Sequence, residues 1–536
     1  MKRSIMFLSV VLIFLLSVTM IFIGCGEKEA ASGAGGDGKM GGTLVFARSG
    51  DSVGLDPARE TDGESFYGAT AVFDNLVEFV PGKTEVRPAL AESWDVAEDN
   101  LSVTFHLRKG VKFHDGTDFT ADAVVFTFER QFKEDHPYYN LGPWKYWGYM
   151  DMDNIVKAVV AVDDYTVRFD LKKPEAPFLA NLAMDFAGIV SPSAVEKLGE
   201  DFKNNPVGTG VFKFVEWRKD DAIIFERNEE YWADDVYLDR LILRVIPDAT
   251  ARWLALQKGE VDVVDFPSAQ DLQAMKNDPN VKVMQQEGLN VGYLAFNNTK
   301  KPFDNKLVRQ ALNYAINKDE IITAVYGSAG TAAKNPLPPT MWSYNDDIKD
   351  YPYDPAKAKE LLAQAGYPNG FSTELWAMPV ARPYNPNARK IAEIMQAQFA
   401  EVGVDADIVS YEWGTYLDKT DNLEHDMAML GWTGDNGDPD NFLWVLLSAP
   451  AAEPPAGNIA AWKNAEFTAL IKEAKETMNQ TRRTELYEKA QEVFNEEAPW
   501  LPIAHSVVSV PMKNSVQGFH IYPTGKRVFR GVWIEK

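Results

Sequence analysis

The chain has 536 residues, 46% of them hydrophobic and 25% charged, which is globular in composition and too long for one ordinary core, so at least two lobes are expected. A net charge of -24 with a pI near 4.8 excludes the basic face that nucleic acid requires and disfavours adsorption to anionic lipid. Cys25 is the only cysteine, which excludes an intrachain disulfide.

In chain order, Lys2 and Arg3 precede an uncharged apolar run from Ile5 to Ile23, followed by Gly24-Cys25. The pattern reads as a secretory signal, with an uncleaved membrane anchor as the alternative because the run is slightly long. Phe22-Ile23-Gly24-Cys25 resembles a bacterial lipoprotein box, although Leu and a small residue are usual where Phe22 and Ile23 stand. We therefore expect residues 1–25 to be a signal peptide ending at a lipidated Cys25. Residues 26–42, rich in Gly, Ala and Ser, read as a flexible linker. Within it Gly33 and Gly38-Lys39 imitate a phosphate loop. Met40 stands where a Ser or Thr should hold magnesium, and no strand precedes the motif, so no nucleotide cofactor is expected.

From Thr43 the pattern is β-rich. Strands are predicted at Leu44–Ala47, Val103–Leu107, Thr166–Leu171, Ile223–Phe225 and Leu241–Ile246, with sparse helices, one of them at Asp122–Arg130 near Thr120. After about Gly288 the character changes. Asp304–Ile316 carries Val308, Ala311, Leu312, Ala315 and Ile316 on one stripe. Asp354-Pro355 supplies a cap and a first-turn proline, and Gly366 stops that helix. A further helix is predicted to start at Asn385-Pro386, with Ile391, Met395, Phe399 and Val402 facing inward. Strands come next at Val404–Ile408 and Met427–Trp432, then a helix at Arg482–Glu497 and a β-like tail from Ser506. A tail returning to the first lobe makes two crossovers, which is a hinge.

Enzyme signatures are weak. Gly50-Asp51-Ser52-Val53-Gly54 matches the esterase nucleophile elbow, but Leu55-Asp56-Pro57 breaks the helix that must come after it. None of the histidines falls in a zinc motif. Asp435, Asp438 and Asp440 imitate a calcium loop without its closing Glu. The stretch that organises the rest is Leu430–Phe442, LGWTGDNGDPDNF, where an apolar run stops at Gly434, Asp435 and Gly437. Its counterpart, Trp376–Asn387, ends in a Pro-rich loop with a single arginine, Arg382. Strands ending in such loops present side chains at the rim of a sheet, where open α/β folds bind ligands.

Arg87–Arg130, RPALAESWDVAEDNLSVTFHLRKGVKFHDGTDFTADAVVFTFER, resembles the signature block of the extracellular solute-binding proteins, family 5, which serve peptide and nickel ABC importers. The likeness runs from Thr43 to the C-terminus. The segments NPVGTGVF (205–212), GLNVGY (288–293), 376–389 and 431–442 are similar to those of dipeptide-binding lipoproteins in that family. The resemblance implies a type II periplasmic-binding-protein-like α/β clamshell of the large peptide-binding class. Lobe one would span 43–288 plus 504–536, with an extra β-rich subdomain, and lobe two 289–503. It also implies that Arg382 pairs with a ligand carboxylate and Asp435 with an α-ammonium. Trp432, Thr433, Gly434, Pro383, Tyr384 and, from lobe one, Thr61 would flank the ligand. Two fixed opposite charges act as a ruler for a dipeptide, whose charged ends lie roughly 5 to 7 Å apart at extended-chain spacing. The expected partners are a dipeptide, an ABC permease with its ATPase subunits, and a membrane through the lipid anchor. The chain is expected to be a monomer without nucleic acid. Oligopeptides, glutathione, haem or a nickel chelate are alternative ligands on the same fold, and a secreted serine hydrolase is the remote alternative. Without the resemblance, Arg382 reads more readily as a surface residue tied to a nearby acid.

Overall fold

Asn290–Phe296 is buried along its whole length, as a strand covered on both faces must be. It pairs antiparallel with Met427–Thr433 on one side and with Trp500–Lys513 on the other. Next to Met427–Thr433 lies Phe371–Trp376, which is parallel to it and to Val404–Val409. Helix Ala388–Glu401 makes the crossover between the last two, as parallel neighbours require. The structure is a computed structural model that describes residues 40–536. The signal segment, Cys25 and the phosphate-loop mimic lie outside the described residues.

Trp500–Lys513 has two sets of partners. Residues Trp500 to Ala504 pair with Asn290–Phe296, and Val507 to Lys513 pair with Val281–Glu287. Met512 also pairs with Val263, whose strand lies against Thr43–Arg48. Arg240–Val245, Ala222–Arg227 and Phe212–Arg218 continue the sheet outward. The chain thus passes between the two halves of one large sheet at Gly288-Leu289 and again inside the long strand. A separate four-stranded sheet orders Ala91–Val96, Ser102–Leu107, Thr166–Leu171 and Val156–Asp163. Helix Ala121–Phe132 packs on it, with the Phe128 and Phe169 rings 5.1 Å apart.

The predicted strands all form, within a residue or two at their ends, except that the tail strand begins at Trp500 rather than Ser506. Asp354 caps Pro355–Gln364 by accepting from the Lys357 N–H, and Gly366 lies just past the end with φ +93. Two expectations are corrected. The first half holds more helix than expected, including Gly63–Val72, Ala249–Lys258 and Ala269–Asn277. The first of these is buried on almost every residue, so it has no one-faced periodicity to detect. The helix after the Pro-rich loop starts at Ala388, capped by Asn387, rather than at Asn385-Pro386. Asn385 cannot serve as a cap because its backbone exchanges two hydrogen bonds with Arg382, each 3.0 Å.

Candidate ligand-binding site

Two glycines build the floor. Gly292 and Gly431 are register partners on adjacent strands. A Cβ on Gly292 would stand 2.2 Å from the Tyr384 carbonyl oxygen, and one on Gly431 would stand 2.1 Å from the Tyr384 ring. Only glycine lets the Pro-rich loop lie this close to the sheet. The loop is then pinned from two sides. The Tyr326 hydroxyl donates to Tyr384 O at 2.7 Å, and the Ser506 hydroxyl donates to Pro383 O at 2.7 Å. Arg382 is therefore held on a rigid turn. Its guanidinium is buried, with Nη1 3.3 Å from Glu64 Oε1, and it lies over the Trp413 ring at 5.2 Å and the Phe266 ring at 5.8 Å. Among the described residues its Nη2 has no hydrogen-bond partner.

The second corner is set where Met427–Thr433 ends. Gly434 turns the chain by donating its N–H to Leu289 O at 2.6 Å, and a Cβ there would meet the Phe442 ring at 2.5 Å. Asn441 organises the loop beyond that turn. Its Oδ1 accepts from the Trp432 indole and from the Asp435 N–H, both at 2.8 Å. Its Nδ2 donates to Asp435 Oδ2 at 3.2 Å, and the Tyr146 hydroxyl donates to the same oxygen at 3.0 Å. Among the described residues no lysine or arginine pairs with Asp435. Burial pushes its carboxyl up to about 7, against the lowering effect of the Tyr146 and Asn441 hydrogen bonds.

Arg382 and Asp435 open into one cavity of about 160 Å³. Thr61, Pro383, Tyr384, Trp432 and Thr433 line it with them, and Gly434 does not. Several lining residues escaped the sequence reading. Asp62 caps Gly63–Val72 through the N–H groups of Glu64 and Ser65 and faces the cavity. Glu64, in the first turn of that helix, lies between Arg382 and Arg48, and burial raises its pKa against the pull of both cations. A run such as Thr61-Asp62-Gly63-Glu64 marks a helix start, which is the signal that locates them. Other wall charges are paired: Asp185 with Lys526 at 2.6 Å, Asp421 with Lys145 at 2.8 Å, and Arg527 with Asp265 at 2.9 Å. The acids of the calcium mimic diverge, Asp438 reaching Arg483 at 2.7 Å and Asp440 facing Lys475. Ser52, centre of the elbow mimic, accepts from Arg48 Nη1 and donates to Glu64 O, both at 2.9 Å, so its hydroxyl is structural.

The family model for bacterial extracellular solute-binding proteins, family 5, matches residues 85–453. The chain belongs to this family. Family 5 solute-binding proteins related to it include the Escherichia coli dipeptide-binding protein, 48% identical over 92% of this chain and 95% of the relative. The Haemophilus influenzae heme-binding protein A is 45% identical over 97% and 98%. A Helicobacter pylori ABC transporter-associated periplasmic binding protein, solved in complex with the peptide STSA, superposes with a TM-score of 0.89. It is 44% identical, covering 93% of this chain and 99% of that one. The fold is accordingly the type II periplasmic-binding-protein clamshell of the large peptide-binding class, and the four-stranded sheet accounts for its extra β-rich part. Members of the family are extracytoplasmic binding proteins of ABC importers rather than enzymes.

Proposed function

We propose that this chain captures free dipeptides by their two charged ends and delivers them to a membrane permease and its ATPase subunits. Arg382 takes the terminal carboxylate and Asp435 the α-ammonium. One observation carries this reading: among the described residues, one cavity is lined both by a guanidinium with an unpartnered Nη2 and by a carboxylate with no paired cation. Glu64, shared with Arg48, matches part of the Arg382 charge, whereas an ionised Asp435 shut away from water without a cation costs several kcal/mol, so the cavity favours a ligand that brings an ammonium to Asp435 and a carboxylate to the remaining Arg382 donors. Tyr384, Trp432, Pro383 and Thr61 form walls around the posts, and Thr433 closes the corner beside Asp435. Gly434 contributes the turn alone, its N–H being committed to Leu289. Relatives named for dipeptides, at 48% identity, support the same ligand class.

The capture mechanism in this reading is closure of two lobes, 43–288 plus 504–536 and 289–503. Each post draws on both: Glu64 from lobe one reaches Arg382 of lobe two, and Tyr146 reaches Asp435. A ligand seated on one lobe therefore gains contacts when the other arrives, which shifts the population toward the shut form. The protein acts as a monomer tethered to the outer face of a membrane through lipid on Cys25, with residues 26–42 as the leash.

Calorimetric titration with Ala-Ala, N-acetyl-Ala-Ala and Ala-Ala-amide tests the posts. Ala-Ala is expected to bind, and each cap to weaken binding by about tenfold or more, about 1.4 kcal/mol. Equal binding of all three ends the two-post reading.

A further inference from the structure

A second, smaller cavity of about 50 Å³ lies behind Arg382. Phe266, Arg382, Pro383 and Val508 line both cavities, so the two spaces meet at these side chains. The far walls of the annex are apolar, made by Leu272, Val325, Tyr326 and Pro386, with Ala269 and Ala329 among them. Its polar groups are already engaged: the Ser506 hydroxyl donates to Pro383 O, Ser509 accepts from Gln285, and the Tyr326 hydroxyl donates to Tyr384 O. An occupant thus meets mainly carbon surface, with Arg382 and the Ser509 hydroxyl as its polar contacts.

Phe266 is unusual among these four. It has φ 48, a left-handed backbone that costs a bulky residue of the order of 1–3 kcal/mol and persists only when the surroundings fix it. Here they do. Arg252 Nη2 donates to Phe266 O at 2.8 Å, the Phe266 N–H donates to Asp265 Oδ1 at 3.2 Å, and Arg527 holds Asp265 from behind at 2.9 Å. Two buried arginines therefore hold an aromatic ring at the mouth of the annex, beside the guanidinium.

We propose that the annex is a side-chain subsite for the carboxylate-end residue of the ligand, selecting branched apolar side chains, and that Phe266 is the specificity-determining residue at its mouth. The inference rests on the dipeptide reading, which seats the ligand carboxylate on Arg382 and thereby brings the last residue's side chain to the place where the two cavities meet. The annex has room for about three or four water-sized groups at roughly 10–15 Å³ each, which matches Val or Leu and excludes an indole. The annex borders Arg382 and not Asp435, so the preference is positional.

Calorimetry with Ala-Gly, Ala-Leu, Leu-Gly and Ala-Trp on the whole protein tests it. In the parent, Ala-Leu is expected to bind at least about fivefold tighter than Ala-Gly, the scale of moving a Leu side chain from water onto carbon walls, and Leu-Gly to gain less than about twofold. Ala329→Leu and Ala269→Leu each fill the annex. Both are expected to erase the Ala-Leu advantage and to leave Ala-Gly affinity within about twofold, which also certifies their folding. Phe266→Ala is expected to widen the passage between the cavities and raise Ala-Trp affinity by about fivefold or more. Equal binding of Ala-Leu and Ala-Gly by the parent overturns the subsite, and so does an advantage that survives both filled variants. Failure of every dipeptide on the parent refutes the dipeptide reading itself, and the subsite with it. Binding of Ala-Gly without a Leu preference refutes the subsite alone.

Discussion

Asp435 makes the sharpest test, because its environment fixes both the size and the sign of an effect. Its carboxyl is pushed up to about 7 by burial with no cation beside it. The ionised form is the one that accepts an ammonium, and a peptide α-amino group titrates near 7.8. At pH 7.4 about seven-tenths of each is in the charged form. At pH 5.4 about 2–3% of Asp435 remains ionised while the amine is fully charged. The product of the two falls about twentyfold, so dipeptide affinity is expected to drop by about 1.8 kcal/mol over that interval and to peak near pH 7.4. Titration calorimetry from pH 5 to 9, on the parent and on Asp435→Asn, reads both limbs. The amide variant is expected to bind at least about tenfold more weakly at pH 7.4 and to lose the acid limb while keeping the amine limb. Stability provides a second reading of the same group. The folded value lies above the unfolded value of about 3.9, so the protonated group favours the folded state below that value and this contribution is lost as pH rises through about 7. Ligand-free Asp435→Asn is then expected to gain stability over the parent above pH 7. An acid limb that persists unchanged in Asp435→Asn would falsify the assignment.

Three other perturbations probe the carboxylate post, the buried acids and the elbow mimic. Arg382→Lys keeps the charge and loses the planar fork, and is expected to weaken dipeptide binding by about tenfold, with Arg382→Ala weaker still; equal affinity by calorimetry refutes a carboxylate post at this position. Lys475 is fully buried among Glu175 at 3.4 Å, Asp151 at 3.7 Å and Asp440 at 3.8 Å. Lys475→Met leaves Asp151 with Lys173 at 3.4 Å but Glu175 and Asp440 without an ion pair among the described residues, and is expected to cost about 3 kcal/mol or more in urea unfolding. The loss should be larger at pH 8 than at pH 5, because Asp440 is pushed up to about 6 by burial and is neutral at the lower pH. Ser52→Ala removes two hydrogen bonds, one from Arg48 and one to Glu64 O, worth together about 2 kcal/mol of stability, and is expected to leave dipeptide affinity within about twofold; loss of an ester-cleaving activity on this substitution would instead reopen the hydrolase alternative.

Helices such as Pro355–Gln364 were legible in the sequence because the information is local: a capping Asp354, a first-turn proline and a stop at Gly366 lie within a few residues of what they control. Strands such as Ser102–Leu107 declared themselves by alternation, for the same reason. The site is assembled over distance and is harder to read. Arg382 and Glu64 are 318 positions apart, and Tyr146 and Asp435 are 289 apart, so no window contains either pair. Arg382 alone reads as a surface residue, and only the family resemblance singles it out. Phe266 gives no signal at all, because its position depends on a backbone angle held by Arg252 and Asp265. The misplaced helix start shows the same limit in small. Asn385-Pro386 is a sound local cap signal that loses to a turn closed onto Arg382, while Asn387 two residues later does the capping.

The long strand Trp500–Lys513 has a consequence for how the molecule comes into being. It supplies a neighbour to Asn290–Phe296 and to Val281–Glu287 alike, yet it comes well after both in the chain. Neither portion of the large sheet can finish its hydrogen bonding until that segment has emerged, so the two portions are not autonomous folding units. A nascent chain held short of residue 500 keeps unpaired edges on both, and a C-terminal truncation there forfeits the whole architecture rather than one half of it.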